Sequence, residues 1–418
     1  MKLAVVGAGS TYTPELVSGL SRERERVPLD ELVLHDIDAE RREVVGGLAG
    51  RMLERQGYTG RLTLTGELER ALDGADFVLI QIRVGGQEAR LRDETIPLSC
   101  GCIGQETTGA GGLAKALRTV PVVLEIAAQA RERAADGAWI VDFTNPVGIV
   151  TRALLDAGHR AVGLCNVAIG FQRAIARSFG VEDERVAVDQ VGLKHLTWIR
   201  AVHVDGRDVF AEVLSEHIDA VAAQAELPAE LIRELGAIPS YYLRYFYRRD
   251  EEIARLRAGK PRAQEVAEIE RELLGMYRDP ALAEKPALLE RRGGAFYSEA
   301  ATQLVAALAT ASGEAQVVDV RNAEALPGLA DDDVVELPAR IGRDGPEPLP
   351  QEPLAPELLG LVQQVAAYER LAARAAATGD RDTAARALLT HPLVGQWPLS
   401  EELLDRMLAA EAGAEVHA

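Results

Sequence analysis

The run RAVGLC closes on Cys165 with Asn166 behind it, and His195 follows in VGLKHLTW. A thiolate and an imidazole are competent ligands for a transition metal. Taken from neighbouring strand ends, two such ligands leave positions open for substrate oxygens. Each also has a plainer reading, the cysteine as a small buried apolar residue and the histidine as a strand residue satisfied by backbone. At the other end of the first half, KLAVVGAGS runs from an apolar strand into Gly7-Ala8-Gly9, continued by Ser10 and Thr11. Glycines there let the backbone turn tightly and approach a pyrophosphate, whose charge is favoured by the N-terminus of the next helix. The fingerprint is incomplete, because Tyr12 stands where G-x-G-x-x-G has its third glycine. Asp36 ends the run ELVLHD, where an acid binds a ribose 2′-hydroxyl and favours NAD over NADP. A nicotinamide cofactor beside a Cys/His metal site most simply implies redox chemistry on a hydroxyl.

Other polar residues collect near the same strand ends. Asn145 in DFTNP offers a donor and an acceptor suited to sugar hydroxyls, with a turn asparagine before proline as the alternative. Four glycines surround Glu106 in the run 104–112, which predicts a mobile or tightly turned loop. Upstream, Arg83, Arg90 and Arg92 read as part of a loop reaching that edge, and arginine is the preferred donor to phosphate or carboxylate. SYYLRY opens a tyrosine-rich helix in a chain with nine tyrosines. Packing accounts for most of them, yet a tyrosine near a metal or a cationic cofactor can act as a base. Lys260-Pro261-Arg262 starts the next helix with a second basic cluster.

The elements that must position these groups alternate along the first 165 residues. LAVVG, ELVLHD, RLTLTG, DFVLIQI, WIVDFTN and RAVGLC read as strands with helical stretches between them, which implies a parallel sheet covered on both faces. From about residue 180 the pattern changes to antiparallel strands, RVAVDQVGL and LTWIRAVHVDGRDV, and then mostly to helices with short strands AQVVDVRN and DVVELPARIG between them. The expectation is an α/β chain: a Rossmann-like, doubly wound dinucleotide domain over 1–165 and an α+β domain over 166–418. RDGPEPLPQEPLAP reads as a proline-rich surface connector. At 418 residues the chain exceeds the limit of one core, about 250–300 residues. Its net charge of −19 argues against nucleic acid, which needs a basic footprint. No run of about eighteen uncharged apolar residues predicts a membrane span. Three cysteines are too few for a disulfide framework, and with no signal-peptide pattern the expected compartment is the cytoplasm.

Taken together, GAGS, IGQETTGAGG, DFTNPVGIVT, GLCNVAIG, GLKHLTW, SYYLRYF and RGGAFYSEAA occur in the order found in the NAD- and manganese-dependent glycosidases, glycoside hydrolase family 4. The resemblance covers nearly the whole chain, and Cys165-Asn166 is similar to the 6-phospho-β-glucoside branch, where the α-specific branch carries Cys-Asp. It implies a lactate/malate dehydrogenase-like fold, with Gly7, Gly9, Ser10, Thr11, Asp36 and Arg83 toward NAD and Cys165 and His195 as ligands of Mn²⁺ or another divalent metal. Tyr242 then matches the base and Glu106 an acid placed to raise its basicity. Arg90, Asn145, Asn166 and Arg262 match positions that bind a small phosphorylated glycoside. The implied reaction oxidises the sugar at C3, which acidifies C2, then eliminates the aglycone, adds water and reduces C3 again. A homodimer or homotetramer is the expected assembly. Two departures stand out: Ala168 replaces a usual proline, and Lys194 replaces a usual asparagine before the histidine. Left open are an unphosphorylated galactoside or glucuronide as substrate, a lactate- or malate-type dehydrogenase, and a non-catalytic NAD sensor.

Overall fold

The structure, a computed structural model, describes residues 1–164, 166–293 and 296–415. The first half alternates strands and helices as β1 Lys2–Val6, α1 Thr13–Arg22, β2 Glu31–His35, α2 Ala39–Arg55, β3 Arg61–Thr65, α3 Leu68–Leu72, β4 Phe77–Ile80, α4 Gly86–Ser99, α5 Gly109–Arg133, β5 Trp139–Asp142, α6 Val147–Asp156, β6 Ala161–Leu164 and α7 Val167–Phe179. The second half opens with the long strands β7 Val186–Leu193 and β8 Leu196–Val204 and the short β9 Arg207–Asp208. It continues through α8 Phe210–Glu216, α9 Ile218–Ala225, α10 Ala229–Leu235, β10 Ile238–Pro239, α11 Arg244–Tyr247, α12 Arg249–Ala258, α13 Arg262–Tyr277, α14 Leu289–Arg292 and α15 Tyr297–Thr310. The chain closes with β11 Ala315–Arg321, β12 Val334–Gly342, β13 Gly345–Pro348, α16 Pro356–Thr378, α17 Arg381–Thr390 and α18 Trp397–Glu415.

Among the described residues the strands form one thirteen-stranded sheet, in the order β10-β8-β7-β12-β11-β6-β5-β4-β1-β2-β3, with β13 beside β12 and β9 beside β8. From β3 to β6 every pairing is parallel. These strands are near-continuous apolar runs, fully buried in β4 and β6, because helices cover both faces. Their order, 3-2-1-4-5-6, reverses direction between β1 and β4, and ligands bind beyond the strand ends at such a reversal. On its far edge β6 pairs antiparallel with β11, so the second half continues the same sheet.

Four expectations change. Residues 86–99, read as loop, form α4, which carries Arg90 and Arg92. The glycine run after Glu106 is the buried first turn of α5 rather than a mobile loop. A Cβ at Gly111 would lie 2.3 Å from the Gln105 carbonyl and 2.4 Å from that of Asp93, so only glycine lets α5 start this close. The tyrosine-rich segment is a single 3₁₀ turn, Tyr241–Leu243, leading into the short α11. Part of the proline-rich connector is the edge strand β13, where a proline's missing N–H can face away from the ladder. No helix among the described residues is long and apolar enough to cross a membrane.

Candidate active site

A cleft of about 1590 Å³ opens at the β1/β4 reversal. Its walls include Gly7, Gly9, Ser10, Asp36, Arg83, Arg90, Glu106, Asn145, Asn166, Tyr242 and Arg262. The sequence-predicted groups thus converge from β1, β2, the loops after β4 and β5, and the start of α13.

The glycine turn is built by close approach. Gly7 has φ +89°, and a Cβ there would lie 2.7 Å from the Gln81 carbonyl on the neighbouring strand end. The Gly7 and Ala8 amides donate to the His35 carbonyl, at 2.9 and 2.8 Å. The Gln81 amide group donates to the Thr13 hydroxyl at 2.9 Å and to the Gly7 carbonyl at 3.2 Å. Asp36 accepts from the Gly9 amide at 2.7 Å, and a Cβ on Gly9 would meet that carboxylate. Backbone bare of side chains, beside an acid and ahead of a helix, fits a dinucleotide. Thr11 is placed elsewhere. It is buried, its carbonyl accepting from the Tyr277 hydroxyl at 2.7 Å and its own hydroxyl reaching Glu270 at 3.5 Å.

Glu106 is buried among three cations. Its carboxylate accepts from Arg83, lies 2.6 Å from the Lys115 ammonium, and lies 3.3 Å from Arg90 Nε. Burial alone would raise its pKa, but Arg83, Arg90 and Lys115 outweigh that and hold it well below the ordinary carboxylate range. Glu106 is therefore a fixed negative charge and not a proton acceptor near neutrality. Lys115 responds oppositely: burial and the nearby Arg83 pull its pKa down to about 8, with Glu106 opposing.

His195 sits at the tight turn between β7 and β8 with φ 68°, and its side chain is buried. Its Nε2 has no hydrogen-bond partner among the described residues. Burial, and then the charge of Lys194, keep it neutral by lowering its pKa well below the ordinary value. A neutral imidazole with a free lone pair fits a metal ligand. Cys165, its expected partner, lies outside the described residues. It falls between Leu164, the last residue of β6, and Asn166, which caps α7. The Tyr242 ring stacks on the His195 ring, centroids 3.7 Å apart and planes 18° apart, while the Tyr241 ring lies tilted by 31° against Tyr242, centroids 4.3 Å apart. Asn145 Oδ1 is buried without a partner among the described residues, and the Asn145–Pro146 peptide is cis. Arg262 bonds Glu265 at 2.9 Å and the carbonyls of Arg291 and Arg292 at 2.9 and 3.1 Å. Arg92 turns away from the cleft toward Glu411.

Sequence reasoning missed Lys115, Glu270 and Arg292, which also line the cleft. Arg292 donates to Glu270 at 2.8 Å, and Glu270 lies 3.8 Å from Arg41, whose Nε holds the Gly9 carbonyl at 2.9 Å. Glu106 and Glu270 are thus each paired with more than one cation in the cleft wall.

Residues 2–181 match the model of the Family 4 glycosyl hydrolases, and residues 190–394 match that of the family's C-terminal domain. The chain belongs to glycoside hydrolase family 4. It is 41% identical to the probable 6-phospho-β-glucosidase of Bacillus subtilis, over 98% of this chain and 96% of the relative. Among solved structures it resembles the 6-phospho-β-glucosidase from Thermotoga maritima determined with manganese, NAD⁺ and glucose 6-phosphate. That match has a TM-score of 0.92 at 35% identity, covering 99% of this chain and 98% of the other. A lactate dehydrogenase from Cryptosporidium parvum, at 15% identity and a TM-score of 0.59 over 90% of this chain and 98% of the other, shares the fold alone. The Rossmann-like, dehydrogenase-like fold expected of this family 4 chain is thus found.

Proposed function

We propose that this family 4 enzyme hydrolyses 6-phospho-β-glucosides, using NAD and a divalent metal ion, manganese by preference. The observation that carries the reading is the stacking of Tyr242, which lines the same cleft as the glycine turn, on the buried His195 behind it. It sets a phenol and a free imidazole lone pair beside a dinucleotide cradle. Bound there, NAD would supply reversible hydride transfer at the sugar C3, and a metal ion, for which His195 and Cys165 would be the ligands, would supply a Lewis acid.

The chain's own residues do the rest. Asp36 and the Gly7–Gly9 backbone hold the dinucleotide, with Ser10 and Arg83 at the edge of its site. Arg90 and Arg262 contact the phosphorylated sugar, and Asn145 and Asn166 orient its hydroxyls. Tyr242 takes the C2 proton once oxidation at C3 has made it acidic, the aglycone leaves by elimination, water then adds at C1 as C2 regains a proton, and C3 is reduced again. Glu106, permanently ionised, sets the charge of the wall through Arg83, Arg90 and Lys115. The division of labour places the dinucleotide on 1–165 and the completing wall on 166–418. The unpaired thiols of Cys100 and Cys102 support residence in a reducing cytoplasm, and a homodimer or homotetramer is the inferred assembly.

The test is release of p-nitrophenol from the β-glucoside with and without a 6-phosphate, supplied with NAD⁺ and Mn²⁺ under reducing conditions. Turnover of the phosphorylated compound without net NADH is expected. Preference for the unphosphorylated sugar, or NADH accumulating in step with product, overturns the reading.

A further inference from the structure

We propose that Glu94 is a positioning residue that ties the two substrate arginines to each other, an inference that rests on the phosphorylated-sugar reading above. Glu94 lies on α4 with 6% of its surface exposed. Its Oε1 accepts from Arg90 Nε at 2.8 Å, and its Oε2 accepts from the Ala263 amide at 2.9 Å. Ala263 is the second residue of α13, directly after Arg262. One carboxylate therefore spans two elements that are 169 residues apart in sequence.

Each bond has a consequence for ligand geometry. By taking Nε, Glu94 fixes the guanidinium plane of Arg90, an arginine only 12% exposed at its side chain. The two terminal nitrogens of Arg90 donate to no partner among the described residues, and the residue lines the cleft. They remain a fork of the kind that receives an anion's oxygens in pairs. On the other side, the Ala263 amide is one of the helix-start donors that have no partner within the helix. Glu94 supplies one, and its negative charge suits the helix N-terminus. The turn that carries Arg262 is thereby held against the helix that carries Arg90. The loop leading to Glu106 packs on the same point, since a Cβ on Gly104 would lie 2.1 Å from the Glu94 carbonyl oxygen.

The recorded bonds of this bridge run to Arg90 and Ala263, so its loss disturbs where the substrate's anionic end is held more than the proton transfer. Such a defect raises KM and leaves kcat in place. Glu94→Gln keeps the shape but offers one acceptor to two donors. A lost hydrogen bond to a charged group corresponds to a loss of about tenfold to a hundredfold.

The experiment measures kcat and KM of the NAD- and Mn²⁺-loaded enzyme for p-nitrophenyl β-glucoside 6-phosphate in the unaltered chain, Glu94→Gln, Arg90→Lys and the double variant. The NAD⁺ dissociation constant is measured alongside. Expected are a KM raised about tenfold or more in Glu94→Gln, kcat within about threefold, unchanged NAD⁺ binding, and a double variant worse than Arg90→Lys by less than the Glu94→Gln loss, because only the Ala263 bond is left for Glu94 to lose. If Glu94→Gln does not fold, Glu94→Asp, which keeps the charge and shortens the reach, must show the same split. An unmoved KM, a loss confined to kcat, or additive losses overturn the bridge alone. No turnover by the unaltered chain overturns the substrate reading and this proposal with it.

Discussion

Replacing Glu106 by glutamine removes the anion that three cations share, and the structure sets the size of the effect. The Lys115 ammonium is 2.6 Å from the carboxylate and only 3% exposed, and Arg83 and Arg90 are 26% and 12% exposed. At an effective dielectric of about 20, a unit pair at that distance attracts by about 6 kcal/mol before desolvation is counted. Breaking a buried pair from one side costs about 3–5 kcal/mol, because the remaining charges stay buried without a counter-ion. Glu106→Gln is therefore expected to lose about 3–5 kcal/mol of stability near pH 6.5. The loss should shrink as the pH rises, for a reason of sign. The folded pKa of Lys115, about 8, already lies below its ordinary 10.5, and without Glu106 it falls further. A lysine with a depressed folded pKa weakens the fold while it is charged, and the penalty eases as pH passes that pKa and climbs toward the unfolded value. In the variant this easing begins at lower pH, so the gap to the unaltered chain narrows up to about pH 8 and then stays level. Urea unfolding at pH 6.5 and pH 9, with the slope checked for constancy, measures both gaps. Equal gaps, or a wider one at pH 9, would refute the idea that Lys115 and Glu106 form a charge-balanced unit.

Tyr242→Phe should lower kcat by about 10²–10⁴ while the NAD⁺ dissociation constant stays put; product formed in deuterated water by the unaltered enzyme should carry deuterium at C2, and its absence would remove the tyrosine from the proton transfer. His195→Ala should abolish Mn²⁺ binding measured by equilibrium dialysis, with circular dichroism unchanged, and retained binding would return the histidine to a packing role. Asp36→Ser should weaken NAD⁺ about tenfold or more through loss of the acceptor for the Gly9 amide and the ribose; an unchanged dissociation constant counts against the cradle. Chelator treatment should stop turnover, with recovery on adding Mn²⁺, and undiminished activity in chelator would exclude a required metal.

Five of the six parallel strands were legible as largely buried apolar runs, a signal that survives without knowing the fold, while the edge strand β3, RLTLT, showed only its alternating leucines. Gly7 and Gly9 stood out because a strand runs straight into a tight turn and a helix, and Asp36 because it ends the next apolar strand, 27 residues beyond Gly9. Helix α4 was not. Its inward face carries Asp93 and Glu94, which pair with Arg118 and Arg90, so no apolar periodicity marks it. Lys115 was hidden in the same way, a charge inside an apolar helix whose burial makes sense only once Glu106 is seen beside it. The glycines after Glu106 were misread because the demand on them comes from the Gln105 and Asp93 carbonyls, contacts set by packing and not by local sequence. Thr11, expected toward NAD from the resemblance, is buried with its carbonyl on Tyr277 and its hydroxyl 3.5 Å from Glu270, a placement set by tertiary packing that no local pattern marks.

The meeting of β6 with β11 decides how this enzyme can open. In many two-lobed enzymes the substrate enters when one lobe swings away on a linker. Here the strand that ends at Leu164 is stitched to β5 on one side and to β11 on the other, so the boundary between the halves is itself a ladder of backbone bonds. A swing at that line would have to tear the ladder, leaving its amides and carbonyls unpaired in the interior. Traffic must instead pass over the rim of the cleft, where Tyr241, Tyr242 and Arg262 at the start of α13 form part of the wall. The strands can then stay in place through a full turnover, which suits a reaction whose sugar must remain still while a hydride is lent and given back.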